Sequence, residues 1–418
     1  MMGKHSPVAI APRYMETFQC IGSDCEENCC HGWRVSIDKP IFKKYRTVPI
    51  HALNEKMKVV VVKNETSSNL AEYAQIKLDA EGNCPFLDEK SLCEIQGQLG
   101  ADYLSRTCQT YPRYHVRKDQ ELRLYASLSC PEAARKSLLD TDAMDMIQIT
   151  LPYANDSLVP VYSSIRTTQK NAGLLEELSS YVAETAFHII RAPESRAWDA
   201  MIVLGMLVRR IQRALAEQQE QDARRAMVDA MIDFTDADYL AQAHTLAHGI
   251  TVERSKQIAL LRAVLSVYFA KNHGRTSYRK TIADAMEGIG FDETDLQGSE
   301  ARYNEAEGKW FTPFDDAHPH LLKNYLLNDM GKNTFPLGTN RGLEKEFIDL
   351  AMRFSLIKMS LVGIAGLKKE NFSADDYVRV IYTFSRNIEH NTGFMSEIMA
   401  LLEQDGFSNI AAATLMLR

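Results

Sequence analysis

Four cysteines fall within CIGSDCEENCCHGW, Cys20 to Trp33, and two of them are adjacent. The chain has eight cysteines in 418 residues, and all lie in its first third: Cys20, Cys25, Cys29, Cys30, Cys84, Cys93, Cys108 and Cys130. Even placement would group them so tightly less than about once in ten thousand trials, so the grouping has a local cause. The vicinal pair Cys29-Cys30 does not readily close on itself as a disulfide. Its diverging side chains suit two metal atoms or two corners of one cluster.

The spacing narrows the chemistry further. Structural zinc sites are usually built on C-x2-C knuckles, which wrap two thiolates round one tetrahedral ion. Here the pattern is C-x4-C-x3-C-C, followed by C-x8-C, C-x14-C and C-x21-C, with no C-x2-C. An iron-sulfur cluster, 4Fe-4S in particular, tolerates such spacing better than a single zinc ion, which stays as the alternative. A disulfide scaffold belongs to an oxidising compartment. The residues MMGKHSPVAIAPRYMETF contain no apolar run of the kind a secretion signal has, so the expectation is a cytoplasmic protein with reduced thiols. Cys130 precedes Pro131 and the helical-looking PEAARKSLLD, which predicts a thiol at or near a helix N-cap, where unpaired N-H groups favour a thiolate.

The fold expected is α+β and mostly α: a small cysteine-rich module over residues 1-150, a connection over 151-170 and an all-helical domain over 171-418, with no Rossmann sheet. In the first region KMKVVVVKN reads as a short β-branched stretch, EYAQIKLDAEGNCPFL runs into a turn at Glu81-Gly82-Asn83, and ELRLYASLSC alternates as a strand. LPYANDSLVPVYSSIRTT, with two prolines, reads as the connection. Beyond it the segments 172-192, 195-218, 252-272, 318-333, 343-367 and 373-391 carry apolar residues at helical spacing. The glycines of LVGIAGL, Gly363 and Gly366, lie inside such a pattern and read as close helix packing, not as a nucleotide turn. No apolar run approaches the length of a membrane span. A net charge of -7 argues against nucleic acid as partner.

CPFLDEKSLCEIQGQLGADYLSRTCQTYPRY, after an upstream cluster ending in Cys29-Cys30, resembles the zinc- or iron-chelating cysteine-cluster proteins. With YMETFQCIGSDCEENCCHGWRVSID, SLSCPEAAR, HPHLLKNYLLNDMGKNTFPLG and FSRNIEHN, the chain is similar over nearly its full length to the flagellin lysine-N-methylases. That resemblance implies methyl transfer from S-adenosylmethionine to lysine amines of flagellin, with an iron-sulfur cluster held by the cysteines. The other class in play is a zinc- or cluster-binding redox or interaction protein without methyltransferase activity.

Methyl transfer needs a neutral lysine and therefore a base or a desolvating pocket. The candidates are His318, Asn324 and Tyr325, then Arg386, Glu389 and His390, the last three placed on one face by helical spacing. An ordinary helical ion pair is the plain alternative for Arg386 and Glu389. His31 and Trp33, next to Cys30, are the candidates for contact with the cofactor or for shielding a cluster.

Overall fold

The computed structural model describes residues 6-32, 35-65, 69-152, 159-167, 173-193, 195-217, 219-251, 254, 257-258, 263, 266, 276-338, 342-389, 396-398, 400, 403 and 409-417. Among the described residues eight strands form two sheets. The larger contains β1 (Val8–Pro12), β5 (Arg113–Lys118), β6 (Glu121–Ala126), β7 (Met146–Thr150) and β8 (Val161–Ile165), in the order β7-β1-β6-β5-β8. Within it β1 is antiparallel to β7 and parallel to β6, β5 and β6 form a hairpin, and β5 runs parallel to β8. The smaller sheet has the order β2-β4-β3, from Ser36–Ile37 (β2), Val61–Lys63 (β3) and Ala74–Ile76 (β4). A mixed sheet with a central hairpin is not a doubly wound nucleotide fold.

The cysteine-rich lobe is an insertion between β1 and β5, two strands of one sheet that flank β6. The chain leaves β1, passes α1 (Tyr14–Thr17), and builds α2 (Lys39–Tyr45), α3 (His51–Val60), α4 (Glu94–Leu99) and α5 (Arg106–Thr110) before returning at β5. Its core gathers Val35, Ile37, Tyr45, Leu53, Met57, Ala74, Phe86, Ile95 and Leu104. The larger core draws on both sides of residue 150. Ala9, Leu122, Leu124 and Leu138 share it with Trp198, Leu204, Tyr325, Phe347 and Ile381.

After β6 comes α6 (Pro131–Leu139), and past β8 the chain is helical: α7 (Leu174–Arg191), α8 (Ala197–Leu215), α9 (Glu220–Thr235), α10 (Ala237–His248), α11 (Thr276–Gly288), α12 (Leu296–Ala306), α13 (Thr312–Ala317), α14 (His320–Lys332), α15 (Leu343–Lys368), α16 (Ala374–Phe384) and α17 (Ile410–Met416). Two π-helical turns interrupt the pattern, Glu307–Phe311 and Ser385–Glu389. The start of α16 carries a capping box, with the Ser373 side chain and backbone N-H paired reciprocally with Asp376. Most of the helical expectation over 252-272 lies outside the described residues. Leu343–Asn371 is long and apolar enough to cross a bilayer by length and composition, but 83% of its most apolar window is buried inside the protein, which accounts for that composition.

Two local expectations change. KMKVVVVKN is helical as far as Val60, because Leu53 and Met57 lie four apart on the buried face of α3; only Val61–Lys63 is strand. The stretch read as a connection supplies β8, whose pairing with β5 satisfies an edge that the β5-β6 hairpin leaves open.

The glycine expectation is met by α11 against α15. A side-chain carbon on Gly363 would collide with the backbone of Ala285, and one on Gly366 would lie 2.6 Å from the Gly288 carbonyl oxygen. Alanine gains about 1 kcal/mol of helix propensity over glycine, which a backbone collision outweighs. Gly363→Ala should therefore lose about 2 kcal/mol net in urea unfolding followed by circular dichroism. Gly308→Ala, where nothing lies within 4 Å of the added carbon, should be neutral or stabilising.

Candidate functional site

None of the eight cysteines is in a disulfide. Cys84 is buried, Cys20 exposed and the other six half-buried. Local structure explains several positions. Cys93 and Cys130 are the N-cap residues of α4 and α6, with Pro131 at the start of the latter as the sequence indicates. At Cys130 and Cys93 the nearby backbone N-H groups of the first helical turn oppose, without cancelling, the upward shift that burial gives each thiol. Cys108 lies in α5, whose N-cap Ser105 hydroxyl accepts the Cys108 N-H at 3.2 Å.

The loop carrying the vicinal pair is held on two sides. Toward the small lobe, the Cys84 N-H donates to the Cys30 carbonyl at 2.7 Å, the Gly32 N-H to Gly82 at 2.8 Å, and His31 Nδ1 lies 2.9 Å from Asn83 Oδ1. Gly82 turns there at φ +84°, a conformation that side chains rarely adopt, and the position of its missing side chain faces the His31 ring. Toward the helical half, Arg386 Nη1 donates to Glu27 Oε2 at 2.9 Å and Nη2 to the Asn28 carbonyl at 2.6 Å. The Asn28 side chain in turn accepts the Cys30 N-H at 2.6 Å. Arg135 on α6 pairs with Glu26 and with Glu132. Tyr111 closes the site from RTCQTYP, its hydroxyl 3.1 Å from Ser129 Oγ and its ring within the field of Cys130, Cys29 and Arg386.

The thiols crowd one another electrostatically. Cys29 is a neighbour that the others share: it adds to the upward shift of Cys25, Cys84, Cys93, Cys108 and Cys130 after burial, and its hydrogen bond is the first cause at Cys30. Cys20 acts on Cys25. Packing divides them: Cys30, Cys84, Cys93 and Cys108 border or join the small core, and Cys130 borders the large one. Among the described residues no three His, Cys, Asp or Glu side chains are arranged to hold a metal ion. The donors fit a soft metal or a cluster by their chemistry, and they are gathered without being closed round one point.

The other sequence candidates fall elsewhere. His318 Nδ1 donates to the Phe314 carbonyl at 2.9 Å, and the imidazole stacks on the Phe314 ring. Asn324 donates to the Asp140 carbonyl at 2.9 Å, and Tyr325 is fully buried in the large core. The shared face proposed for Arg386, Glu389 and His390 assumed 3.6 residues per turn, whereas 385-389 is a π turn, which is wider. Arg386 pairs instead with Glu27, 359 positions away. The Glu389 side chain, His390 and Trp33 lie outside the described residues. Glu27, Asn28, Tyr111 and Arg135 were not singled out by sequence. Their only signal was proximity to cysteines and to proline.

Burial pushes the Cys108 and Cys130 thiols up to about 12, and it raises Cys25, Cys84 and Cys93 as well. Cys30 is raised first by its hydrogen bond with Cys29 and then by burial. These thiols are neutral in the metal-free protein near neutral pH. At pH 8 the thiolate fraction of Cys108 and Cys130 should be roughly a thousandfold below that of an unfolded cysteine, which site-resolved alkylation with iodoacetamide will read. Because the folded values lie above the unfolded one, this stabilisation is complete below about pH 8.5 and is lost as pH rises toward 12. Metal-free protein should lose about 1.4 kcal/mol per pH unit for each such thiol in that window, measured by urea unfolding.

The comparisons with known proteins point one way. The family described as FliB lysine N-methylase C-terminal domain matches residues 183-416, more than half of the chain. A lysine-N-methylase of Salmonella typhimurium is 25% identical over 406 residues, covering 91% of this chain and 92% of that protein. The lysine-N-methylase of Salmonella choleraesuis is 25% identical over 403 residues, with the same two coverages. The flagellar biosynthetic protein FliU of Salmonella muenchen is 39% identical over 137 residues, which is 32% of this chain and 78% of that protein. No solved structure matches. With its helical half matched by the family and two relatives aligned over nine-tenths of its length, the chain belongs to the FliB lysine N-methylases.

Proposed function

We propose that the protein is a cytoplasmic, S-adenosylmethionine-dependent protein-lysine N-methyltransferase that methylates surface lysines of flagellin with the help of a cysteine-bound iron-sulfur cluster. The observation that carries this reading is the Arg386 contact. Arg386 belongs to the part of the chain matched by the methylase family, and it grips the loop that bears Cys29 and Cys30. The family domain and the thiols therefore meet in one place.

In the net reaction a nitrogen-carbon bond forms at the lysine amine, the sulfonium-methyl bond breaks, S-adenosylhomocysteine leaves and the amine gives up a proton. The amine must be neutral to accept the methyl group, since its ammonium form has no lone pair. Glu389 and His390, which follow Arg386 in sequence, are the proposed proton acceptors, and His31 and Trp33 are the residues proposed to contact the cofactor. The ligands proposed for a 4Fe-4S cluster are four drawn from the eight cysteines, with zinc as the alternative metal. When bound, such a group supplies a soft Lewis-acidic or redox centre beside the loop.

Metal entry must displace protons, because the raised thiols are neutral, so loading should be steeply favoured by higher pH. The test is methylation of flagellin by anaerobically purified protein with S-adenosylmethionine, read as methyl mass increments on lysine peptides. The expected wild-type protein is brown and active. A Cys29→Ser/Cys30→Ser double variant should keep its helical circular dichroism and lose at least roughly a hundredfold in methylation, since serine is a poor soft-metal ligand. Wild-type turnover by a variant shown to lack metal would overturn the cluster requirement. Flagellin left unmethylated by metal-loaded wild type would favour the binding-protein reading.

A further inference from the structure

Arg386 does something that neither a base nor an ordinary helical ion pair would do. Its side chain is 4% exposed, and its partner Glu27 is 17% exposed. The two neighbouring loop contacts differ in kind: Arg135 and Glu26 are each about one-third exposed, so solvent screens that pair. The guanidinium uses its fork in two directions at once, one nitrogen to the Glu27 carboxylate and the other to the Asn28 carbonyl. Asn28 then orients the next step, since its side-chain oxygen accepts the Cys30 N-H. On the far side the Cys30 carbonyl accepts from Cys84. The vicinal cysteines thus sit on a short strap pinned at one end by the helical half and at the other by the inserted lobe.

We propose that Arg386 is a positioning residue: from the helical half it fixes Glu27 and Asn28, and through them the presentation of Cys29 and Cys30 to the remaining thiols. The inference deepens the proposed function, because the thiols it positions are among those proposed for the cluster. It makes the geometry of the metal-binding loop depend on a residue more than 350 positions away, inside the family domain. Lysine in its place would keep a positive charge near Glu27 but lose the planar fork that reaches the Asn28 carbonyl. The conservative variant should therefore rescue only part of the effect.

The experiment has two readouts, neither of them methylation. Metal-free wild type, Arg386→Gln and Arg386→Lys are alkylated under native conditions, and each cysteine's rate is followed by peptide mass spectrometry. The same proteins are titrated anaerobically with cobalt(II), and thiolate-to-cobalt charge-transfer absorption is recorded. Arg386→Gln should alkylate Cys29 and Cys30 roughly tenfold faster, with Cys84 unchanged, and should weaken the cobalt band; Arg386→Lys should fall between. Equal Cys29 and Cys30 rates in a folded Arg386→Gln would overturn the proposal. So would acceleration of all the thiols alike, which would mark a general loss of structure. Should Arg386→Gln not fold, Glu27→Gln, which removes the charge from a partly exposed partner, must show the same selective acceleration at smaller amplitude, and its absence overturns the proposal equally. A wild type that protects Cys29 and Cys30 selectively through Arg386 while binding no cobalt, zinc or iron would refute the cluster reading and uphold the positioning role.

Discussion

A closed ring of three hydrogen bonds ties the sheet to the helices, and the site depends on it. The Tyr14 hydroxyl donates to Asn328 Oδ1 at 2.6 Å, the Asn328 amide donates to the Ala126 carbonyl at 3.1 Å, and the Ala126 N-H donates back to the Tyr14 oxygen at 2.9 Å. Ala126 is the last residue of β6, where the chain leaves the sheet and turns into α6. Its peptide groups are buried, and an unpaired one there would cost about 1-3 kcal/mol. Asn328 supplies the partner that the sheet cannot. By fixing where β6 ends, the ring fixes where α6 begins, and so the N-cap position of Cys130.

The same logic explains why α14 is buried along its whole length although it carries lysines and asparagines. Lys323 donates to the Ala192 carbonyl at 2.6 Å, Asn324 to Asp140 at 2.9 Å and Asn328 to Ala126, so three chain ends or turns are satisfied by one helix. Burial depresses the Lys323 amine to about 8, with Asp315 partly opposing the shift. Polar residues in a motif such as HPHLLKNYLLNDMGKN look like chemistry in a sequence. In the fold Lys323, Asn324 and Asn328 complete backbone hydrogen bonding.

Local features were legible because their causes are local. Helical apolar spacing marks α7, α8, α15 and α16; Ser373 with Asp376 marks a helix start; Cys130-Pro131 marks an N-cap; and Gly363 with Gly366 marks close helix packing. What was not legible depends on distant partners. Nothing in SDCEENCC points to a partner for Glu27, which pairs with Arg386, 359 residues on. The π turn at 385-389 follows no pattern in SRNIE. The continuation of α3 through Val59 and Val60 shows the opposite case, where β-branched residues suggest strand and two buried side chains decide for helix.

The two π turns share a trait that separates structural from positioning roles. Each carries a buried ion pair: Glu307 in the first pairs with Arg254 and with Lys358, the latter at 2.8 Å, and Arg386 in the second pairs with Glu27. The Glu307 group is closed within the helical half. Lys358 lies over the Trp198 ring and donates to the Leu417 carbonyl, and Gln257, bonded to Arg254, donates to Met416, so these charges hold the end of α17. Arg386 instead leaves its own helical body and completes a loop of the inserted lobe. A buried pair is weak evidence of stabilisation, since desolvation offsets much of its attraction, and its surer consequence is geometric. Here the geometry it specifies is that of the loop that carries Cys29 and Cys30, held by Arg386 through Glu27 and Asn28.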